Sequence, residues 1–344
     1  MTTQQTLIGL DIAKNVFQAH AVDETGRCVF KRKLGRSEVA SFFDALLPCR
    51  VVLEACATSH YWARIIRQHG HEVALVPPEA AKAFVRKGKK NDAIDAAAIC
   101  AAALHPDTRY VPVKAEEQQS ILSLHSARAL LIKQQTMVVN ALRALAAEFG
   151  IVAPRGTGKL DALMATIATA ELPETMKQVA ETLFQQFSTL RDKVSRLEAR
   201  IEAHARTDED ARRLTSVPGI GPVTASMIVA SVTDIGAFGS ARQFAAWLGL
   251  VPRQHSTGGK PRLGRITKAG NREIRTLLVL GATSMIYRAP RWQSVAGAWL
   301  RGLLERRPAR LATIALANKT ARIVWALLSR KEVYSPRGRH AVPA

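Results

Sequence analysis

A short apolar run that ends on a carboxylate constrains this chain more than any other feature. Leu7-Ile8-Gly9-Leu10-Asp11 reads as a buried strand, and Asp11 falls where that run meets polar Lys14 and Asn15. Burying an unpaired carboxylate costs several kcal/mol, so such a group pairs with a cation, takes a proton or holds a metal. Its companions lie further along. Glu54 closes Val51-Val52-Leu53-Glu54, and Asp92 and Asp95 stand in Lys90-Asn91-Asp92-Ala93-Ile94-Asp95-Ala96 ahead of more alanines. The alanine run predicts a helix, on which Asp92 and Asp95 share a face. Two acids on strand ends and two on one helix are therefore expected to converge.

The surrounding order is consistent with that picture. Leu7–Asp11, Val16–Val22 and Cys28–Leu34 read as a three-strand meander, with Asp23-Glu24-Thr25-Gly26 as a hairpin turn. Ser37 is expected to cap a helix through Leu47. Val51–Glu54 then reads as a strand, Ser59–His69 as a helix, and Glu72–Val76 as a strand before Pro77-Pro78. A meander followed by alternating strands and helices fits the ribonuclease H type of α/β fold, which gathers acids at strand ends. Residues 1–110 are expected to form this domain.

Beyond it the pattern turns helical, and residues 111–206 are expected to form a coiled-coil segment. Leu131, Val138, Leu142, Leu145 and Phe149 form one stripe, which Gly150 to Gly158 interrupts. Leu183, Phe187, Leu190, Val194, Leu197 and Ile201 then recur at spacings of four and three, a heptad seam. Such helices pair either between chains, giving a dimer, or within one chain as a helical hairpin. Residues 207–344 are expected to be a third, mainly helical domain. In it Thr207-Asp208-Glu209-Asp210 is expected to cap a helix, and Val217-Pro218-Gly219-Ile220-Gly221-Pro222 reads as the turn of a helix-hairpin-helix element. The N–H groups near Gly219 and Gly221 are candidates to grip a phosphate, and a tight turn with no ligand is the alternative. Helices are predicted at Arg272–Ile286, Trp292–Glu305 and Pro308–Arg330.

Charge points to the partner. The chain carries 49 Lys and Arg against 28 Asp and Glu, a net +21. From Val251 to Ala344 there are 19 basic and 3 acidic residues, so +16 of the excess lies there. A polyanion is implied, with nucleic acid ahead of a membrane surface. No uncharged apolar run approaches the roughly 18 residues of a membrane span, and the first five residues lack the basic start of a signal peptide. Cys28, Cys49, Cys56 and Cys100, without a close pair, read as buried thiols of a reduced cytosol. A cytoplasmic, nucleoid-associated protein is the expectation.

Asp11, Glu54, Asp92 and Asp95 offer only carboxylate oxygens, the donor set of Mg²⁺ or Mn²⁺. Two such ions about 4 Å apart can stabilise the attacking and leaving oxygens of a phosphodiester. A second chemistry is suggested by Arg253-Gln254-His255-Ser256-Thr257-Gly258-Gly259-Lys260-Pro261-Arg262-Leu263-Gly264-Arg265, read as a polar loop. Ser256 could attack a DNA phosphate while Arg253, Lys260, Arg262 and Arg265 offset its charge. The alternative is a phosphate-binding loop whose serine only donates a hydrogen bond. His255 has no visible carboxylate partner, so a catalytic dyad is not indicated.

Taken together, these motifs resemble the DEDD-type insertion-sequence transposases, the IS110 family and within it the IS1111 subgroup. Gly9-Leu10-Asp11-Ile12-Ala13-Lys14, Leu53-Glu54-Ala55-Cys56 and Lys90 to Ala96 resemble its RuvC-like half. Val217 to Gly221, Leu248-Gly249-Leu250-Val251-Pro252 and Ser256 to Lys260 resemble its C-terminal transposase half. The resemblance implies a DNA recombinase that excises and inserts its own element. Asp11, Glu54, Asp92 and Asp95 would hold Mg²⁺, and Ser256 would form the covalent link to double-stranded DNA, with Ser216, Ser240 and Thr257 as nearby alternatives. It also implies a structured guide RNA (bridge RNA) as partner, and dimers that pair into tetramers. A junction-resolving nuclease using metal and water alone, and a nucleic-acid scaffold without chemistry, are the rival readings.

Overall fold

The structure, a computed structural model, describes residues 6–85, 92–255, 262–291 and 295–335. The chain divides into two compact units, Met1–Glu116 and Glu117–Ala344.

The first unit is mixed α/β. In chain order it contains β1 (Leu7–Ile12), β2 (Val16–Val22), β3 (Cys28–Gly35), α1 (Val39–Asp44), β4 (Arg50–Glu54), α2 (Ser59–Gln68), β5 (Glu72–Val76), α3 (Pro78–Lys82) and α4 (Asp92–Leu104). The strands form one sheet in the order β3-β2-β1-β4-β5. Strands β1, β2 and β3 pair antiparallel, whereas β1, β4 and β5 run parallel. Turn chemistry sets the β2–β3 register: one oxygen of the Asp23 carboxylate accepts N–H bonds from Thr25 at 2.8 Å and Arg27 at 3.0 Å. Side chains alternate between faces. Ile8, Leu10, Val51 and Leu53 pack with α1 and α2 residues such as Phe43 and Ile66. Leu7 and Val52 pack on the opposite side with Ile99, Cys100 and Ala103 of α4.

Two expectations fail in this unit. Ser37 caps nothing, because residues Arg36–Glu38 form a 3₁₀ turn in which the Glu38 carboxylate accepts the Gly35 N–H, and α1 is correspondingly short. The thiols are not uniformly buried: Cys100 is, Cys49 is half-buried, and Cys28 and Cys56 are exposed. Cys28 lies at the start of the sheet's edge strand and Cys56 in the loop after β4.

Among its described residues the second unit is helical apart from one hairpin. It comprises α5 (Glu116–Ala147, beginning on the last residue of the first unit), α6 (Leu160–Thr169), α7 (Glu174–Thr207), α8 (Glu209–Thr215), α9 (Pro222–Ser231), α10 (Ala241–Trp247), β6 (Pro252–Gln254), β7 (Leu263–Ile266), α11 (Arg272–Arg288), α12 (Val295–Arg306) and α13 (Ala309–Arg330). One core joins the far ends of the long helices: Val139, Leu142 and Ala146 of α5, Leu160, Leu163 and Ile167 of α6, and Met176, Ala180 and Phe187 of α7. The heptad positions Phe187, Leu190, Val194 and Ile201 are buried within the single chain. On α5 the expected stripe is displaced. Leu145 and Phe149 are exposed, and Phe149 lies past the helix end, because the face turned toward α6 is Val139-Leu142-Ala146.

A second core gathers α8 to α13 around buried Phe244, Leu248, Ile274, Leu278, Ala317 and Val324. By length and composition α13 is apolar enough to cross a membrane, yet 50% of its apolar stretch is buried among its neighbours here.

Candidate active site

Strand register sets Asp11 and Glu54 side by side, and the path of one helix turns its first residues toward them. Parallel pairing of Leu10 with Leu53 makes Asp11 and Glu54 the next residues on adjacent strands. By alternation both lie on the α4 face, since Leu7 and Val52, an even number of residues away, pack under α4. Helix α4 can lie close because position 9 is glycine: a Cβ there would collide with the Ala96 carbonyl and stand 2.7 Å from Cys100 Sγ. The Cys100 thiol in turn donates to the His20 carbonyl at 3.2 Å, and burial pushes its pKa up to about 12. Leu104, at the other end of α4, stands 3.5 Å from where a Cβ at Gly26 would lie, beyond the end of β2 that pairs with Leu7. The helix therefore runs antiparallel to β1, and its first turn, with Asp92 and Asp95, lies toward the Asp11 and Glu54 end. Asp95 is half-buried; the Asp92 side chain lies outside the described residues. Among the described side chains no three of His, Cys, Asp and Glu stand close enough to hold a metal ion.

Two residues near these acids escape a reading by strand ends. Gln18 of β2 pairs with Asp11 and shares its face, a consequence of the β1–β2 register. Cys56 follows Glu54 in a loop fixed by the Ser59 hydroxyl, which donates to the Cys56 carbonyl at 2.9 Å, and by a left-handed Thr58 at φ 70°. Partial desolvation, then the charges of Glu54 and Asp11, raise the Cys56 thiol pKa although the residue reaches solvent.

The stretch after α10 is a hairpin rather than a loop. Strands β6 and β7 pair antiparallel, and the His255 N–H donates to the Arg262 carbonyl at 2.8 Å. Ser256, Thr257, Gly258, Gly259, Lys260 and Pro261 connect the arms and lie outside the described residues. Arg253, Arg262 and Arg265 are exposed on the arms, with Arg253 donating to the Thr267 carbonyl at 3.3 Å.

The two glycines between α8 and α9 have different surroundings. Gly219 has φ +88° and presses its carbonyl so closely on α11 that a Cβ at Gly281 would collide with it. Its place is explained by packing. Gly221 is exposed at the N-terminus of α9, with nothing within 4 Å of a Cβ there. The Ser216 hydroxyl donates to the Arg213 carbonyl at 2.6 Å and accepts the Tyr334 N–H at 3.2 Å, and the Ser240 side chain caps α10. Both alternative serines thus have structural duties.

Two family models match the chain, the first running from the first unit into the second and the second lying within the second unit. Residues 8–150 match the DEDD transposase family of IS110, described as "Transposase", and residues 211–296 match "Transposase IS116/IS110/IS902 family". The chain belongs to this transposase family. It is 48% identical over 333 residues to a "Probable family 20 transposase" of Pseudomonas aeruginosa, spanning 96% of this chain and 98% of that protein. It is 38% identical over 332 residues to the "Transposase for insertion sequence element IS1111A" of Coxiella burnetii, spanning 95% and 91%. To the "Transposase for insertion sequence element IS1328" of Yersinia enterocolitica it is 37% identical over 330 residues, spanning 96% and 98%.

Proposed function

We propose that the protein excises and inserts its own insertion sequence by Mg²⁺-dependent strand cleavage and exchange through a phosphoserine–DNA intermediate at Ser256. The observation that carries this reading is the placement of Asp11 and Glu54 on adjacent parallel strand ends, with the first turn of α4 toward them. In this reading the first unit is RuvC-like and α8, its turn and α9 are a helix-hairpin-helix element. Asp11, Glu54, Asp92 and Asp95 would hold Mg²⁺ or Mn²⁺, and their all-oxygen donor set fits such an ion. When bound, the ion supplies charge stabilisation at the scissile phosphate.

The remaining roles belong to the chain itself. Ser256 Oγ gives up its proton and bonds to phosphorus; the broken P–O bond leaves a strand-end hydroxyl, and attack by another strand's hydroxyl later releases the serine. Arg253, Lys260, Arg262 and Arg265 bind neighbouring phosphates and hold the phosphate for attack. A guide RNA is the second polyanion for the basic surface, and the protomers assemble as dimers that pair as tetramers.

The test is a covalent trap. Full-length protein with co-purifying RNA retained is mixed with Mg²⁺ and labelled DNA spanning an element end, then run on a denaturing gel. An adduct lost in both Ser256→Ala and Asp11→Asn, and lost on RNA digestion, is expected. Mg²⁺-dependent cuts without an adduct, unchanged in Ser256→Ala, would replace this reading with a metal-only nuclease.

A further inference from the structure

A hairpin presents its tip reproducibly only if both arms are held where they leave the core. The outgoing arm starts from α10, whose end is closed by Gly249 N–H to the Ala246 carbonyl at 2.9 Å and Leu250 N–H to the Ala245 carbonyl at 3.1 Å. The returning arm is laid against it, with Thr267 N–H donating to the Val251 carbonyl at 2.9 Å and Lys268 N–H to the Gly249 carbonyl at 3.1 Å. The arms touch backbone to backbone at two left-handed glycines. A Cβ at Gly249 would collide with Ala269, and one at Gly270 with the Trp247 carbonyl.

Arg275 enters this crossing from α11. Its Nη1 donates to the Leu248 carbonyl at 2.9 Å and to the Ala269 carbonyl at 2.6 Å, one on each arm. The helix that carries it does not give way: Asn271 caps it through the N–H groups of Glu273 and Ile274, and Ile274 and Leu278 are buried. Asn318 of α13 adds a bond to the Leu250 carbonyl at 3.2 Å.

We propose that Arg275 is a positioning residue which, by joining both arms through one nitrogen, fixes β6 and β7 at their foot and through them sets the rate of adduct formation with DNA. The inference rests on Ser256 as the nucleophile. Arg253, Arg262 and Arg265 are exposed on the arms, whereas Arg275 Nη1 donates to two carbonyls at their foot and acts on the reaction through the hairpin.

The experiment uses the full-length protein with its RNA, Mg²⁺ and labelled end DNA. It compares wild type with Arg275→Met, Arg275→Gln and Arg275→Lys in DNA affinity, single-turnover adduct rate, and amide exchange of residues 252–255 and 262–266. Arg275→Met is expected to bind DNA within about twofold of wild type and to form adduct about 100-fold more slowly, the scale of a misplaced nucleophile. Its hairpin amides should exchange faster. Arg275→Lys should regain most of the rate, because an ammonium can donate to both carbonyls. Should Arg275→Met not fold, Arg275→Gln, which keeps a donor, should fold and show the same split in milder form.

A wild-type adduct rate in Arg275→Met, or equal losses of affinity and rate, would overturn the assignment. If wild type itself forms no adduct, the serine reading fails, and unchanged amide exchange in Arg275→Met would separately remove the positioning role.

Discussion

At position 9 the packing has room for a hydrogen and nothing larger. Gly9→Ala places a methyl against the Ala96 carbonyl and 2.7 Å from Cys100 Sγ, so α4 must lift from the sheet. Overpacking of this kind costs about 1–3 kcal/mol. Urea unfolding should show that loss as a lower midpoint, and Gly9→Val should lose more. A midpoint unchanged in both variants would mean that α4 does not sit on β1 as described. Because α4 carries Asp92 and Asp95, cleavage should also fall in the surviving folded fraction. Single residues differ in how far sequence reveals them. Asp11 and Glu54 are legible because each closes an apolar run, and pattern alone gives that. Gln18 and Cys56 are not, since their nearness to the acids depends on a strand register and a loop closure that no local pattern encodes. Gly219 reads as a phosphate grip from its motif, but its partner, Gly281, is remote in sequence.

Among the elements, the junction of α5, α7 and α9 carries a polar node that helical periodicity does not announce. The buried Ser226 hydroxyl lies 3.0 Å from both His125 Nε2 and His204 Nδ1. Burial first, then Arg128 and His204, lower the His125 pKa from 6.5 to about 4. Below pH 6.5 the unfolded chain takes up a proton that the folded chain refuses, so stability falls as pH drops toward 4 and is level above that window. At pH 5 the His125 contribution to this loss is on the order of 2 kcal/mol. Urea midpoints at pH 7 and pH 5 should diverge less in His125→Gln than in wild type. Equal divergence would deny the histidine this role. Long elements are legible because heptads and caps are local: the α7 seam and the Asp208 cap stand where spacing puts them. Strands β6 and β7 are not, because Pro-Arg-Gln and Leu-Gly-Arg-Ile are short, exposed and show no apolar alternation. Their pairing is imposed from the foot, by Gly249, Gly270 and Arg275.

For the molecule as a whole, the distribution of charge argues for how DNA is held. The excess of +16 from Val251 onward, against +21 for the entire chain, puts most of the attraction on the part that carries the hairpin. Each phosphate neutralised releases counterions and steepens the fall of affinity with salt by about 0.9 in the log–log slope for duplex DNA. Arg253, Arg262 and Arg265 are exposed on the hairpin arms, so a triple alanine variant should flatten the slope by about 3 if each meets a phosphate. The loss should be similar on end DNA and on unrelated duplex, because phosphate contacts carry no sequence information. Fluorescence anisotropy between about 50 and 200 mM salt is sufficient to measure it. A slope equal to wild type would put the hairpin arms away from the DNA backbone and move the electrostatic footprint to the helices that follow. A loss confined to end DNA would instead make these arginines readers of bases, a role that the geometry of an exposed two-stranded ribbon also permits in a major groove.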